Sequence, residues 1–403
     1  MQDSEVAPRS AGAFIAVTLA FLINMMGTTL PTSIYAFYQQ RYGFTTPIIT
    51  VIYASYAIGV LGALLLAGNW SDQVGRRRML IAGLVVSAAS GITFLLSNGL
   101  YALMLGRLLS GISAGIFTGT ASVAVMELVP LKWQPHAPFA ATASNMLGLG
   151  LGPLLSGVLV QALPLPMRIP YVAHLLLVAA ALIGVWGIPQ IAPRGGRIRF
   201  QVQRLSLPHE VRGAFIPAAI AGFAGFVVVG FFAAVVPQLV RVVFGYHNGL
   251  LIGAIVFLLF ACSALGQRVQ ANLADRWRQP AGCIGLIAGL VGVALCVPER
   301  SLGALLVGTV LAGIGQGISF RAGLGDIVAA SPVQRRAEVT SLFFVVLYVA
   351  ISLPVIGLGV AVQMAGIRWA TLMFSASTIV LVLFALLFLV FGRGGRADPA
   401  KMA

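Results

Sequence analysis

The sequence predicts an all-α membrane protein with twelve transmembrane helices in two pseudo-symmetric six-helix halves. Three observations carry this. First, only 9% of the 403 residues are charged while 59% are hydrophobic; an ordinary soluble domain carries about 25% charged residues. Second, the apolar residues fall in continuous runs rather than alternating, as in LLVAAALIGVWGI at 176–188, which argues for helices over strands. Third, the chain repeats. GRLLSGISAGI at 106–116 resembles GTVLAGIGQGI at 308–318, NWSDQVGR at 69–76 resembles NLADRWRQ at 272–279, and LGPLLSG at 151–157 faintly echoes LPVIGLG at 353–359.

A bilayer core of roughly 30 Å needs about 20 helical residues to cross, and in lipid every backbone polar group must be paired internally. Apolar runs bounded by charged or Pro/Gly-rich breaks give the spans in order. Spans 1 to 6 are expected at 11–33, 47–70, 79–97, 101–126, 138–163 and 169–188. Spans 7 to 12 are expected at 213–237, 249–269, 280–298, 302–328, 338–363 and 367–391. The longest polar link, 189–212, divides an N-terminal half (1–188) from a C-terminal half (213–403).

The formal net charge is +15. The basic residues form no patch with interleaved aromatics, which speaks against a nucleic-acid partner. They follow the positive-inside rule instead. With the N-terminus in the cytoplasm, seventeen Lys and Arg fall on the inner side and only Arg41, Arg168, Arg241, Arg300 and Arg368 on the outer, with Arg107, Arg268 and Arg321 inside spans. Both termini and the 189–212 linker are thus expected in the cytoplasm of a bacterial-type inner membrane. The opening MQDSEVAPRS lacks the basic character of a cleaved signal peptide. Cys262, Cys283 and Cys296 lie in or beside apolar segments and read as buried free thiols.

Two similar six-span halves are a transporter design, with the substrate site at the repeat interface. Charge gathers unusually in GNWSDQVGRRRML, 68–80, between spans 2 and 3. Topology explains its arginines but not Gly68, Asp72 and Gly75. The pattern G-x-x-x-D-x-x-G-R-R resembles the loop 2–3 motif of the major facilitator superfamily, at Gly68, Asp72, Gly75, Arg76 and Arg77, with Trp70 where the family usually has Leu. By that resemblance Asp72 caps span 11 near Val339 and Thr340, Arg76 pairs with Glu127 at the inner end of span 4, and these contacts form a conformational latch. Span 4 carries R-x-x-x-G-x-x-x-G at Arg107, Gly111 and Gly115. An arginine inside a span is costly and usually functional, and the family links this position to proton movement. Span 5 carries Gly148, Gly152, Pro153, Ser156 and Gly157, resembling the motif of exporters in the superfamily, with Ser156 in place of one glycine.

The expected cavity candidates are Asn24, Thr28, Asn145, His174, Gln316 and Arg321, with Met25, Met26, Tyr35, Phe37, Tyr38, Tyr53 and Tyr56 nearby on spans 1 and 2. Methionines and aromatics with few charges suit lipophilic cargo. Many proton-driven exporters carry an acid in span 1, and this one does not. No Walker-type loop points to ATP drive. No metal set, cofactor motif or catalytic cluster of an enzyme stands out. The expected protein is a monomeric secondary transporter, with a small-molecule substrate, protons and the lipid bilayer as its partners. Proton-coupled efflux of drug-like or small metabolite compounds is the first reading. A sugar or other metabolite transporter, including an importer, is the second.

Overall fold

The structure is a computed structural model that describes residues 10–67, 70–190 and 205–391, without the side chains of Ala67, Asp72 and Phe391. Among the described residues all regular structure is helical. Eleven stretches are long and apolar enough to cross a membrane, but the last, Val333–Val390, has 58 residues. A straight helix of that length would run about 87 Å, nearly three bilayer cores. It turns at Gly366 (φ 78°, ψ 159°), so spans 11 and 12 separate there as the sequence predicts, and twelve crossings result.

Spans 1 to 6 are centred on helices Ala11–Thr29, Thr46–Ala67, Arg76–Leu95, Leu100–Leu128, Ala137–Ala162 and Ile169–Trp186. Spans 7 to 10 follow at Arg212–Ala234, Gly249–Val269, Asp275–Leu295 and Leu302–Ala330. Span 11 starts with Arg336–Ala350, pauses at 351–352, and resumes in the helix Leu353–Phe391 that also holds span 12. Two expected boundaries move. Trp70 lies on a separate short helix, Trp70–Val74, rather than at the end of span 2. Span 9 begins at Asp275, five residues before its expected start at 280.

The repeat is legible in the backbone. Span 1 breaks after Thr29 and continues as Tyr35–Tyr42, ended by Gly43 at φ 68°. Span 7 breaks after Ala234 and continues as Val236–Phe244, ended by Gly245 at φ 74°. Positive φ there favours a residue without Cβ. The halves differ where the charged turn repeats. Gly75 sits at φ 100°, ψ 145° and ends the short helix before span 3. Its counterpart in the 69–76 and 272–279 repeat is Arg278. A side chain disfavours that conformation, and span 9 runs helical through it from Asp275.

Lipid supplies no hydrophobic force between helices, so close packing of small residues must hold spans together. Span 5 lies between spans 1 and 8, span 2 between spans 4 and 11, and span 10 against spans 7, 8 and 9. A Cβ on Gly111 would run into the backbone carbonyl of Tyr56 and meet the Val60 nitrogen at 3.0 Å, so spans 2 and 4 touch main chain to main chain. Hydrogen bonds between the halves include Thr46 to Gln238 (3.1 Å) and Gly249 to Gln161 (3.1 Å). Both lie at the end of the molecule away from the 68–80 turn. Arg241 adds a cation–π contact over Phe37 at the same end (5.7 Å). The halves are therefore tightly closed at that end.

Candidate central cavity

A cavity of about 50 Å³ lies between the halves. Spans 1, 2, 4 and 5 contribute Thr28, Thr29, Tyr53, Tyr56, Arg107, Met146 and Leu149; spans 7, 8, 10 and 11 contribute Phe226, Val229, Phe260, Gln316, Tyr348 and the adjoining Ile351. Met146 and Tyr348 occupy equivalent places in the repeat, 202 residues apart. Tyr56 meets Tyr348 across the divide with ring centroids 6.4 Å apart.

Arg107 is 1% exposed. Its guanidinium donates to the Thr28 carbonyl and to the Tyr35 hydroxyl. It lies over three rings, Tyr35 at 5.6 Å, Tyr53 at 5.2 Å and Tyr56 at 5.8 Å from the centroids. Each such contact contributes about 0.5–2 kcal/mol, more as water is excluded. Nε has no hydrogen-bond partner. Across the cavity, Ser263 donates to Gln316 Oε1 at 2.5 Å, and its hydroxyl lies 3.6 Å from Met146 Sδ.

The remaining predicted cavity residues scatter. Thr28 lines the central cavity, but Asn24 and His174 line a smaller polar space of about 10 Å³ within the first half, with Ser87, Ser90, Ser110 and Tyr171. Ser113 donates to Asn24 Oδ1 at 2.7 Å, while Asn24 Nδ2 has no partner. His174 Nε2 lies 3.0 Å from the Ile23 carbonyl, and its ring fills the space that a side chain on Gly27 would need. Asn145 and Arg321 are half-buried and outside the central lining. Met25 is packed in the core, and the cavity methionine is Met146.

Span 5 shows why its proline is tolerated. Pro153 has no N–H, so the Leu149 carbonyl one turn earlier loses its helical donor. Thr29 of span 1 donates to that carbonyl at 2.7 Å. Ser33 donates to the Pro153 carbonyl at 2.8 Å. Gly148 and Gly152 face span 1; Gly157 packs against Gly249 of span 8. The Gly/Pro run thus joins both halves, through contacts with the broken segment of span 1 and with span 8. Nothing in composition or periodicity singles out Thr29 and Ser33. A helical proline in lipid demands an outside donor, and TTLPTS at 28–33 holds the hydroxyls that supply it.

At the charged turn, Arg76 lies against Glu127, with Nε–Oε2 and Nη2–Oε1 both at 3.3 Å, and also donates to Ser71 at 2.6 Å. Arg77 lies over the Trp186 ring at 5.7 Å. Gly68 and the Asp72 side chain lie outside the described residues, and with them the expected contact to span 11. A wider recess of about 900 Å³ opens at the opposite end between Arg41, Ser97, Asn98 and Arg168, apart from the intramembrane polar residues.

A cavity between two repeated six-helix halves, walled by four helices of each, is the architecture of a membrane transporter rather than an enzyme. The family model of the Major Facilitator Superfamily matches residues 17–353, and the chain belongs to that superfamily. It is similar to "Multidrug resistance protein 1" of Bacillus subtilis, 25% identical over 237 residues, or 58% of this chain and 59% of that protein. It is also similar to "Tetracycline resistance protein, class D" of Salmonella ordonez, 32% identical over 143 residues and 34% of each chain. The matched stretches thus span less than two thirds of these relatives. Its fold is similar to that of a bacterial homolog of the human lysosomal transporter Spinster, solved inward-facing and unoccupied, with TM-score 0.74, 14% identity, and 96% and 98% of the two chains covered.

Proposed function

We propose that the protein is a secondary exporter of drug-like or small metabolite compounds, working by alternating access and coupled to protons. The observation that carries this reading is span 5: its exporter-like Gly148 and Gly152 let it close on span 1, while Pro153 and Gly157 meet Gly253 and Gly249 of span 8, where the halves must slide against each other. The mostly apolar lining of the central cavity supports lipophilic cargo. The names of the two bacterial relatives speak of drug resistance, which export of drug-like compounds would produce. The two bodies that rock are 1–188 and 213–403, in a monomer held in a bacterial-type inner membrane. The Lys and Arg bias puts the 68–80 turn and both termini in the cytoplasm. The end closed by Thr46–Gln238 and Gln161–Gly249 is then the outer one.

In this reading Asp72, Arg76, Arg77 and Glu127, with Gly68 and Gly75, latch the cytoplasmic end when the outer end opens. Arg107 is the proton-linked residue. It acts as a buried fixed charge against which proton arrival and departure are felt. His174 is a buried titratable candidate in the same half. The second reading, a metabolite carrier, is favoured by the Ser263–Gln316 pair, which offers polar contacts on the far wall.

The test is accumulation in an efflux-deficient bacterium expressing the chain, with dyes, antibiotics, sugars and amino acids offered with and without an uncoupler. Uncoupler-sensitive exclusion of a lipophilic compound is expected, and Asp72→Asn should abolish it while the protein still inserts. Raised accumulation of a sugar or amino acid would reverse the direction and favour the second reading.

A further inference from the structure

Arg107 is a buried cation for which the described protein supplies no anion. Its partners are a backbone carbonyl, a phenol and three ring faces, all neutral, and its Nε is unpaired. The helices around it hold few acids. The helices of spans 1, 2, 5, 7 and 8 contain no Asp or Glu. Glu127 shares span 4 but lies twenty residues further along it, about 30 Å away. Asp326 on span 10 and Glu338 on span 11 sit near the helix ends at the basic side, each ten residues from the lining residue of its own span, Gln316 or Tyr348. A charge removed from water is expensive until something of opposite sign meets it. Aromatic faces offset part of that cost, and with Nη1 and Nη2 each donating one bond, the Nε–H is left to donate to an anion.

The cation is on one wall only. The places 202 residues on from Arg107, Tyr53 and Tyr56 are Thr309, Ile255 and Leu258. The facing wall offers Phe226, Val229, Phe260 and Ile351, with the neutral Gln316 and Tyr348 among them. A molecule filling this space meets positive charge at one side and a mostly apolar, uncharged wall at the other.

We infer that the cavity selects amphiphilic organic anions, compounds with an apolar body and a carboxylate or similar acidic group, and that Arg107 binds the acidic group. This rests on the cavity being the transport site proposed above. The anion completes the polar shell of Arg107, the body packs on the second-half wall, and cationic amphiphiles are repelled. At about 50 Å³ the cavity is much smaller than such a molecule, so cargo enters only as the halves part.

The experiment titrates purified full-length protein with 1-pyrenebutyrate, its methyl ester and 1-pyrenebutylamine, three probes with one body and different heads, and reads thermal stabilisation. The carboxylate should half-saturate at a concentration at least about tenfold below the ester, the gain expected of a charge-assisted pair. The amine should be weakest. Arg107→Gln should bring the carboxylate down to the ester, and Arg107→Lys should keep part of the difference. The wild-type ranking decides even if Arg107→Gln fails to fold. Equal binding of carboxylate and ester, or tighter binding of the amine, overturns the anion assignment and leaves lipophilic export standing. Stabilisation by none of the three also overturns it. If cells then accumulate a sugar or amino acid instead, the export reading falls as well.

Discussion

Thr29 shows how much one hydroxyl can matter inside a membrane. It donates to the Leu149 carbonyl that Pro153 leaves without a helical partner. Thr29→Val keeps the shape and strands that oxygen, so it should cost about 1–3 kcal/mol and lower the melting temperature in detergent. Thr29→Ser should restore most of the loss. Equal melting of wild type and Thr29→Val would show that the carbonyl finds another donor. The Arg76–Glu127 pair behaves differently. Its side chains are 12% and 35% exposed, and a Gln at this place keeps an oxygen to which Arg76 can donate. Glu127→Gln should therefore leave melting almost unchanged while slowing transport severalfold in the uncoupler assay. A large fall in melting with normal transport would make the pair structural and remove it from the latch.

Among the elements, the turn before span 3 and the crossing of spans 2 and 4 are set by single glycines. Gly75 holds φ 100°, a conformation that costs a residue with Cβ about 1–3 kcal/mol. Gly75→Ala should destabilise by that amount, or merge Trp70–Val74 with span 3 into one helix, as in the Arg278 repeat. Loss of transport together with higher helicity would mark the second outcome. At Gly111 a side chain meets the Tyr56 backbone, which cannot retreat without moving span 2. Gly111→Val should cost about 1–3 kcal/mol or more by overpacking and reduce the folded yield. It should also disturb Arg107, one turn away on the same helix face. The broken helices of spans 1 and 7 place irregular backbone at Leu30–Ser33 and Val235. Hydroxyls such as Thr29 and Ser33 stand there to bond the neighbouring span.

For the whole molecule, the defining feature is closure at one end. Thr46 Oγ1 and Gln238 Oε1 lie 3.1 Å apart across the halves. If the halves rock, fixing this contact stops the cycle. The pair Thr46→Cys and Gln238→Cys, bridged in membranes by a short bifunctional methanethiosulfonate because Cys lacks the reach of Gln238, should lose transport, and a reductant should restore it. Undiminished transport by the cross-linked protein would rule out opening at this end. The three native cysteines are buried in spans 8 and 9 or at their ends, so they should compete little for the reagent.

The sequence by itself determined the membrane solvent, the helical class, the two-fold repeat and the number of crossings. Each follows from composition and period, which are local or summed quantities. It also marked Arg107, because an ion within an apolar run stands out, whereas Glu127 as the partner of Arg76 followed only from the resemblance of the 68–80 turn to the family motif. Tertiary structure alone decided what faces the cavity. A helix in lipid is apolar all round, so periodicity does not distinguish a face toward bilayer from one toward a neighbour. Asn24 and His174 turned inward to a space within the first half, Asn145 and Arg321 stayed outside the lining, and Met146, Phe226, Phe260 and Tyr348 entered it. The neutral cage around Arg107 was likewise invisible along the chain. Tyr53 and Tyr56 come from span 2, which meets span 4 main chain to main chain at Gly59, Gly111 and Gly115, and Tyr35 comes from the continuation of span 1.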